Sequence, residues 1–294
     1  MDPSCAEGAV PELPEVEHAA RSMQAWLAGE RITAAEGTCT RVFRGSSAQA
    51  FARALRGRAL EGVERRGKYL LLTFDGGVGL LSHLGMTGRW LRRAPGDPSP
   101  RHSRARLRLA SGAVLHYDDP RMFGRLRVVP AADLLALPEL RGIGPDPLRD
   151  GVDAEALGQA LRRTSRAVKV ALMDPAVIAG VGNIQATEAL FRAGVHPARP
   201  ARSLKPVEVA RIAAGIHASI AHALAGLAAK ADVEYLSDGS GTDNPFLIYD
   251  RAGEACPRCA AVLDKVPLGG RTSAYCPCCQ PRRATSRRPP GWTL

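Results

Sequence analysis

The chain has 294 residues, 45% of them hydrophobic and 23% charged, which is enough to bury one large core or two ordinary ones. Forty basic residues against 29 acidic ones leave a formal net charge of +11, and such a chain needs an anionic partner, either nucleic acid or an acidic membrane surface. Its longest apolar runs, such as YLLLTF at 69–74, fall far short of a membrane span, and residues 1–10 lack the basic and apolar regions of a secretory signal, so a soluble cytoplasmic protein is expected.

Residues 1–10 have no periodicity and read as a leader, either disordered or a misassigned start. From Val16, the apolar positions Val16, Ala19, Ala20, Met23, Trp26 and Leu27 fall at helical spacing and stop near Gly29. Between 31 and 130 the pattern changes to short strand-like runs at 58–66, 68–74, 78–85, 105–110, 113–119 and 124–129, separated by Gly, Asp-Gly-Gly and Ser-Gly punctuation, within an N-terminal domain expected over 11–130. This spacing predicts an antiparallel sandwich or barrel. A linker is expected over 131–150. Helical periodicity returns in 153–163, 166–173, 185–193 and 206–230, predicting a helical domain over 151–245 whose last part, 237–245, is a Gly/Ser/Asp/Asn-rich loop. Residues 246–280 are too short to hold a core alone, and 281–294 form a basic tail expected to attract DNA without specificity. Residues 251–294 carry eight basic side chains against Glu254 and Asp264, so over half of the net charge is C-terminal. Only five of the forty basic residues are lysines, which makes Lys68 and Lys169 noteworthy wherever they fall in a motif.

Cys256-x2-Cys259 and Cys276-x2-Cys279, sixteen residues apart, have the spacing of a zinc site built from two knuckles. A pair of disulfides is the alternative; the cytoplasmic expectation and the smallness of the segment favour one structural Zn2+. Four thiolates leave no open position for water, so the metal should hold the fold and take no part in hydrolysis. Cys278 lies between ligands and competes with them, whereas Cys5 and Cys39 read as ordinary thiols. Arg271, flanked by Gly269-Gly270, sits at the tip of the same hairpin, either as a solvated turn residue or aimed at a groove or phosphate. At the other end, Glu12 and Glu15 stand three apart at the start of the first helix, where prolines and acids cap a positive helix end.

The string Pro11-Glu12-Leu13-Pro14-Glu15 also resembles the start of bacterial formamidopyrimidine-DNA glycosylases. The resemblance runs through Arg65-Arg66-Gly67-Lys68-Tyr69-Leu70, His83-Leu84-Gly85-Met86-Thr87-Gly88, Asp119-Pro120-Arg121-Met122-Phe123-Gly124, Gly144-Pro145-Asp146-Pro147-Leu148 and Gly180-Val181-Gly182-Asn183-Ile184 to the cysteines. PELPE, in place of the PEGPE of the related endonuclease VIII branch, favours oxidised purines as substrates.

The resemblance implies an α+β fold: an N-terminal antiparallel β-sandwich with a flanking helix, a helix-two-turns-helix domain, and a C-terminal four-cysteine zinc finger. It implies a monomeric, nucleoid-associated bifunctional DNA glycosylase/AP lyase of base excision repair, acting on damaged double-stranded DNA and not on a membrane. Pro11 would be the N-terminal amine nucleophile, Glu12 the acid/base and Glu15 a supporting carboxylate. Lys68 and Arg271 would contact the target nucleotide and its phosphates. Met86, Arg121 and Phe123 would fill and wedge the space left by the extruded base, while Lys169, Asn183, Arg271 and His102 would grip phosphates. An α-amino group has a pKa of roughly 7.7 to 8 against about 10.4 for lysine, which suits a nucleophile near neutrality.

Residues 1–10 would turn Pro11 into an unreactive amide. Val10 directly precedes Pro11, and a valine codon, GTG, also serves as a bacterial start, so translation from position 10 with removal of the initiator is expected. Two other readings compete: a damage-binding protein without catalysis, and catalysis by a lysine amine, Lys68 or Lys169. Endonuclease VIII-like use of oxidised pyrimidines is a third variant.

Overall fold

The computed structural model describes residues 10–38, 41–228 and 244–282. Cys5, Cys39, most of the 237–245 loop and the tail beyond Arg282 lie outside the described residues. Among the described residues two compact units are present, one built from residues 10–38, 41–141, 224–228 and 244, the other from 142–223 and 245–282.

The first unit opens with helix α1 (Leu13–Leu27), whose buried stripe of Val16, Ala19, Met23 and Leu27 follows helical spacing. Strand β1 (Ile32–Gly37) and helix α2 (Ala48–Leu55) follow, then β2 (Leu60–Arg66), β3 (Tyr69–Phe74), β4 (Val78–His83), β5 (Arg89–Arg93), β6 (Ser103–Leu109), β7 (Val114–Asp118) and β8 (Arg125–Pro130). Two four-stranded antiparallel sheets result, in the orders β1-β6-β7-β5 and β2-β3-β4-β8. The expected sandwich is therefore present. Alternate side chains of both sheets, including Leu72, Phe74, Leu80, Leu107, Leu115 and Tyr117, share a core with α1 and α2. Trp90 packs edge-on against Tyr117 and donates its indole N–H to Ser82 Oγ at 3.1 Å, which ties the two sheets together. Leu134 and Leu137 from the next segment cover Leu71 and Leu81 on the far face of the second sheet.

Helix α2 and strands β1 and β5 are additions to the sequence reading. AQAFARAL is short, but Ser47 caps it and Phe51 and Leu55 bury one face, so packing secures a helix that propensity alone leaves marginal.

The second unit contains α3 (Ala154–Arg162), α4 (Val168–Leu172), α5 (Asn183–Ala193) and, up to Ala223, α6 (Pro206–Ala228). Two tight turns separate α4 from α5, held by Asp174, whose carboxylate accepts the Ala176 N–H and pairs with Arg166. By length and composition α6 is long and apolar enough to cross a membrane, but Val209, Ile212, Ile216 and Ile220 are buried within the protein. Its Gly215 lets α6 approach the Ala189 carbonyl so closely that an added Cβ would lie 2.6 Å away. Strands β9 (Asp264–Leu268) and β10 (Arg271–Tyr275) pair as a hairpin whose turn residues, Gly269 and Gly270, both have positive φ, as a two-residue primed turn demands. The finger does not make a core alone: Ile248, Leu263 and three of its cysteines pack on Phe191 of α5.

Candidate active site and nucleic-acid interface

In the first unit, Glu12 and Glu15 form a reciprocal capping box at the start of α1. The Glu12 N–H donates to Glu15 Oε2 at 2.9 Å, and both carboxylates are almost wholly buried, at 1% and 2% exposure. Capping alone does not require burial. Burial, reinforced by repulsion from Glu12, pushes the Glu15 carboxyl up to about 7, although the Glu12 N–H and the charge of Lys68 draw it the other way. Pro11 is buried immediately ahead of this pair. Lys68 stands in the turn between β2 and β3, beside Gly67 with its φ of 55°. That hairpin is pinned to α1 by Arg65, which donates to Glu17 Oε2 at 2.8 Å and to the Gly67 carbonyl at 3.0 Å. The structure thus brings Pro11, Glu12, Glu15 and Lys68 together.

His83, at the end of β4, was not singled out from the sequence. Burial, with the nearby charges of Lys68 and Arg125, lowers its pKa to about 4, so it is neutral at pH 7 and its Nδ1 accepts the Gly85 N–H at 3.1 Å. Its ring lies tilted at 46° against that of Tyr69, with centroids 4.7 Å apart.

Met86 lies half-buried in the turn after β4, and Arg121 and Phe123 lie exposed in the loop before β8. The Arg121 guanidinium sits 5.0 Å from the Phe123 ring centroid. Between them Met122 adopts φ 56°, uncommon for a residue with a Cβ, and packs against the sandwich core. His102 is held by its backbone N–H to Asp118 Oδ1 at 2.9 Å.

In the second unit, Asn183 begins α5, a helix end whose dipole favours an anion, and its Oδ1 has no hydrogen-bond partner. Arg271, half-buried, begins β10 directly after the two glycines. Lys169 is wholly buried: its ammonium donates to Ser273 Oγ at 2.6 Å and to the Thr272 carbonyl at 3.3 Å, fastening α4 to the hairpin that carries Arg271.

The Sγ atoms of Cys256, Cys259, Cys276 and Cys279 all lie within 4.8 Å of one another, with Cys259 and Cys276 at 3.5 Å, while Cys278 is exposed. A tetrahedral zinc with bonds of about 2.3 Å separates its sulfurs by about 3.8 Å, so this donor set fits the metal and leaves no fifth position. The second knuckle is anchored by Gln280, which accepts the Cys276 N–H and donates to the Val195 carbonyl, both at 2.9 Å. Glu188 of α5, 1% exposed, accepts the N–H groups of Leu247, Ile248 and Tyr249 at 3.1, 2.9 and 3.0 Å, fixing the segment that leads into the finger.

Sandwich, helical region and four-thiol finger define a basic zinc-finger protein with buried acids at the start of its first helix. Three family descriptions match it in order: the formamidopyrimidine-DNA glycosylase N-terminal domain over residues 10–126, the formamidopyrimidine-DNA glycosylase H2TH domain over 143–232, and the zinc finger found in FPG and IleRS over 253–282. Formamidopyrimidine-DNA glycosylase of Desulfitobacterium hafniense is 38% identical over 275 residues, covering 92% of this chain and all of that one. The Roseiflexus enzyme of the same name is 41% identical with the same coverage. Lactococcus lactis Fpg in complex with an abasic site containing DNA superposes with a TM-score of 0.83 at 28% identity, over 92% of this chain and 99% of that one. The same protein with an N7-benzyl-Fapy-dG containing DNA also gives 0.83 at 28% identity, over 92% of this chain and 100% of that one. The chain belongs to the formamidopyrimidine-DNA glycosylase family.

Proposed function

We propose that this protein is a bifunctional glycosylase and AP lyase that removes oxidised purines, 8-oxoguanine and formamidopyrimidines, from duplex DNA. The observation that carries this reading is the gathering of Pro11, two buried carboxylates and Lys68 at one helix start, with the Glu15 carboxyl raised to about 7 and therefore able to hold or release a proton near neutrality. Solved relatives bound to abasic-site and Fapy-dG DNA support the substrate class. A relative bound to an oxidised pyrimidine keeps that alternative within the test.

With a free amine, the Pro11 nitrogen attacks C1′ of the extruded nucleotide and the base departs with the glycosidic electron pair. Ring opening then gives an iminium, whose electron sink lets the 3′ and 5′ phosphates leave in turn. Glu12 moves protons to and from the opening sugar, and Glu15 supports it as a second proton store. Lys68 pairs with the phosphate of the target nucleotide. Met86, Arg121 and Phe123 occupy the vacated stack, and His102, Asn183 and Arg271 hold the backbone. Lys169 acts through the hairpin that presents Arg271. The four cysteines would hold a zinc ion whose contribution is structural: it closes the finger on itself.

An amide nitrogen at Pro11 is not nucleophilic, so this chemistry belongs to the chain that begins at Pro11. Borohydride trapping on a duplex with 8-oxoguanine opposite cytosine tests the reading. A chain starting at Pro11 should give an adduct that peptide mass maps to Pro11, and the 294-residue chain should give none. An adduct at Lys68 would replace the amine, tight binding without any adduct would leave a damage-binding protein, and trapping confined to oxidised pyrimidines would move the specificity.

A further inference from the structure

Met86 on one side, and Arg121 and Phe123 on the other, come from two loops far apart in sequence. What holds them in register is a question that rests on the wedge reading above. Asp119 lies between the loops with no solvent exposure. One of its carboxylate oxygens accepts the Thr87 hydroxyl at 2.7 Å and the other accepts the Gly124 N–H at 2.8 Å. Thr87 Oγ1 in turn accepts the Arg121 N–H at 3.2 Å, so the Met86 turn holds the Arg121 loop through main chain and side chain together. The Asp119 N–H donates to the His102 carbonyl at 3.0 Å, and the Asp119 carbonyl accepts Arg104 Nε at 2.9 Å.

Sterics press the same way. Gly85, with φ +65°, sits so close to the second loop that a Cβ would meet the Phe123 carbonyl carbon at 2.5 Å. The Tyr117 hydroxyl, donating to the His83 carbonyl at 2.9 Å, fills the space beside both Gly88 and Gly124. A buried carboxylate is expensive unless its oxygens are hydrogen-bonded, and here the donors come from both loops, so separating the loops strips the ion of its partners.

We propose that Asp119 and Thr87 are positioning residues that lock the two loops into one preassembled inserting unit, so that displacement of the base does not wait for three side chains to order separately. The Thr87 hydroxyl is the link: it satisfies Asp119 as a donor and the Arg121 N–H as an acceptor.

Removing Asp119 endangers the fold, so the test uses Thr87→Val, which keeps the branched shape and deletes the hydroxyl, beside Thr87→Ser, which restores it. The full chain is mixed in stopped flow with a duplex carrying 2-aminopurine next to an 8-oxoguanine–cytosine pair. Wild type should unstack the reporter, and Thr87→Val should do so about tenfold to 100-fold more slowly, the scale on which a misplaced group acts. Affinity for undamaged duplex should hold, Tm should fall because the buried Asp119 carboxylate loses a donor, and Thr87→Ser should recover both the wild-type rate and Tm. Amide exchange at Arg121 and Gly124 gives a second readout, independent of any change in Tm: both should exchange faster in Thr87→Val while the β4 and β7 strands stay protected. Wild-type unstacking and exchange in Thr87→Val overturn the link, as does equal slowing in Thr87→Ser. Absence of unstacking by the wild type itself overturns the wedge reading, and this inference with it.

Discussion

Replacing Glu15 by Gln should change the pH dependence of stability in a direction opposite to that of most carboxylates. Glu15 moves from 4.5 in the open chain to about 7 when folded, chiefly because burial disfavours the ion and next because Glu12 repels it. The folded chain therefore binds the proton more tightly than the unfolded one between these values. The stability linked to this group is fully present below pH 4.5 and is lost as pH rises through 7. At about 1.4 kcal/mol per tenfold, ionised Glu15 costs the folded state about 3 kcal/mol at pH 8. Gln keeps an oxygen for the Glu12 N–H, bonded at 2.9 Å in the wild type, and carries no charge to be desolvated. Urea unfolding of the 294-residue chain and its Glu15→Gln variant, at pH 5 and pH 8, isolates the effect as a double difference. The variant should gain about 2 to 3 kcal/mol relative to wild type between the two pH values. A difference that stays constant from pH 5 to pH 8 would refute the reasoning, since it would put Glu15 at an ordinary carboxylate value in the fold.

Three other outcomes follow from the second unit and the charge. Glu188→Gln presents an NH2 group to one of three backbone donors and should cost about 1.5 to 3 kcal/mol, seen as faster amide exchange at Leu247, Ile248 and Tyr249; unchanged exchange would dismiss the carboxylate as the anchor. Chelation of the metal, or Cys276→Ser, should abolish protection in the β9–β10 hairpin and weaken DNA binding, and retention of both would contradict a metal-held finger. On the phosphate-gripping roles proposed above, log affinity for undamaged duplex should fall linearly with log salt, and Arg271→Ala should lower that slope by about one; an unaltered slope would remove Arg271 from the phosphate contacts.

The sandwich was legible because the short apolar runs at 68–74, 105–110 and 113–119 are punctuated by Asp-Gly-Gly and Ser-Gly, and Leu72, Leu107, Leu115 and Tyr117 from those runs face the core. The cysteine spacing likewise found four thiols that meet in space. Helix α2 was not legible, since eight residues carry too few turns of period to register and Phe51 acts only through packing. Nor was the hub at Asp119: its partners Thr87 and Gly124 are joined to it by register and loop geometry, and a polar residue in a loop motif gives no sign that it will be fully buried. Lys169 drew notice for its rarity, but nothing in its neighbourhood in sequence tells that its ammonium ends on Ser273 of a distant hairpin.

Met122 gives the Arg121–Phe123 loop the character of a riveted blade. Its left-handed backbone turns one side chain down into the sandwich while its two neighbours stand outward, so the tip is fastened from beneath at its midpoint. Under the wedge role proposed above, load on Phe123 would pass through a single peptide unit into the packed sheets, and a tip mounted in this way would keep its shape while the object it meets gives way.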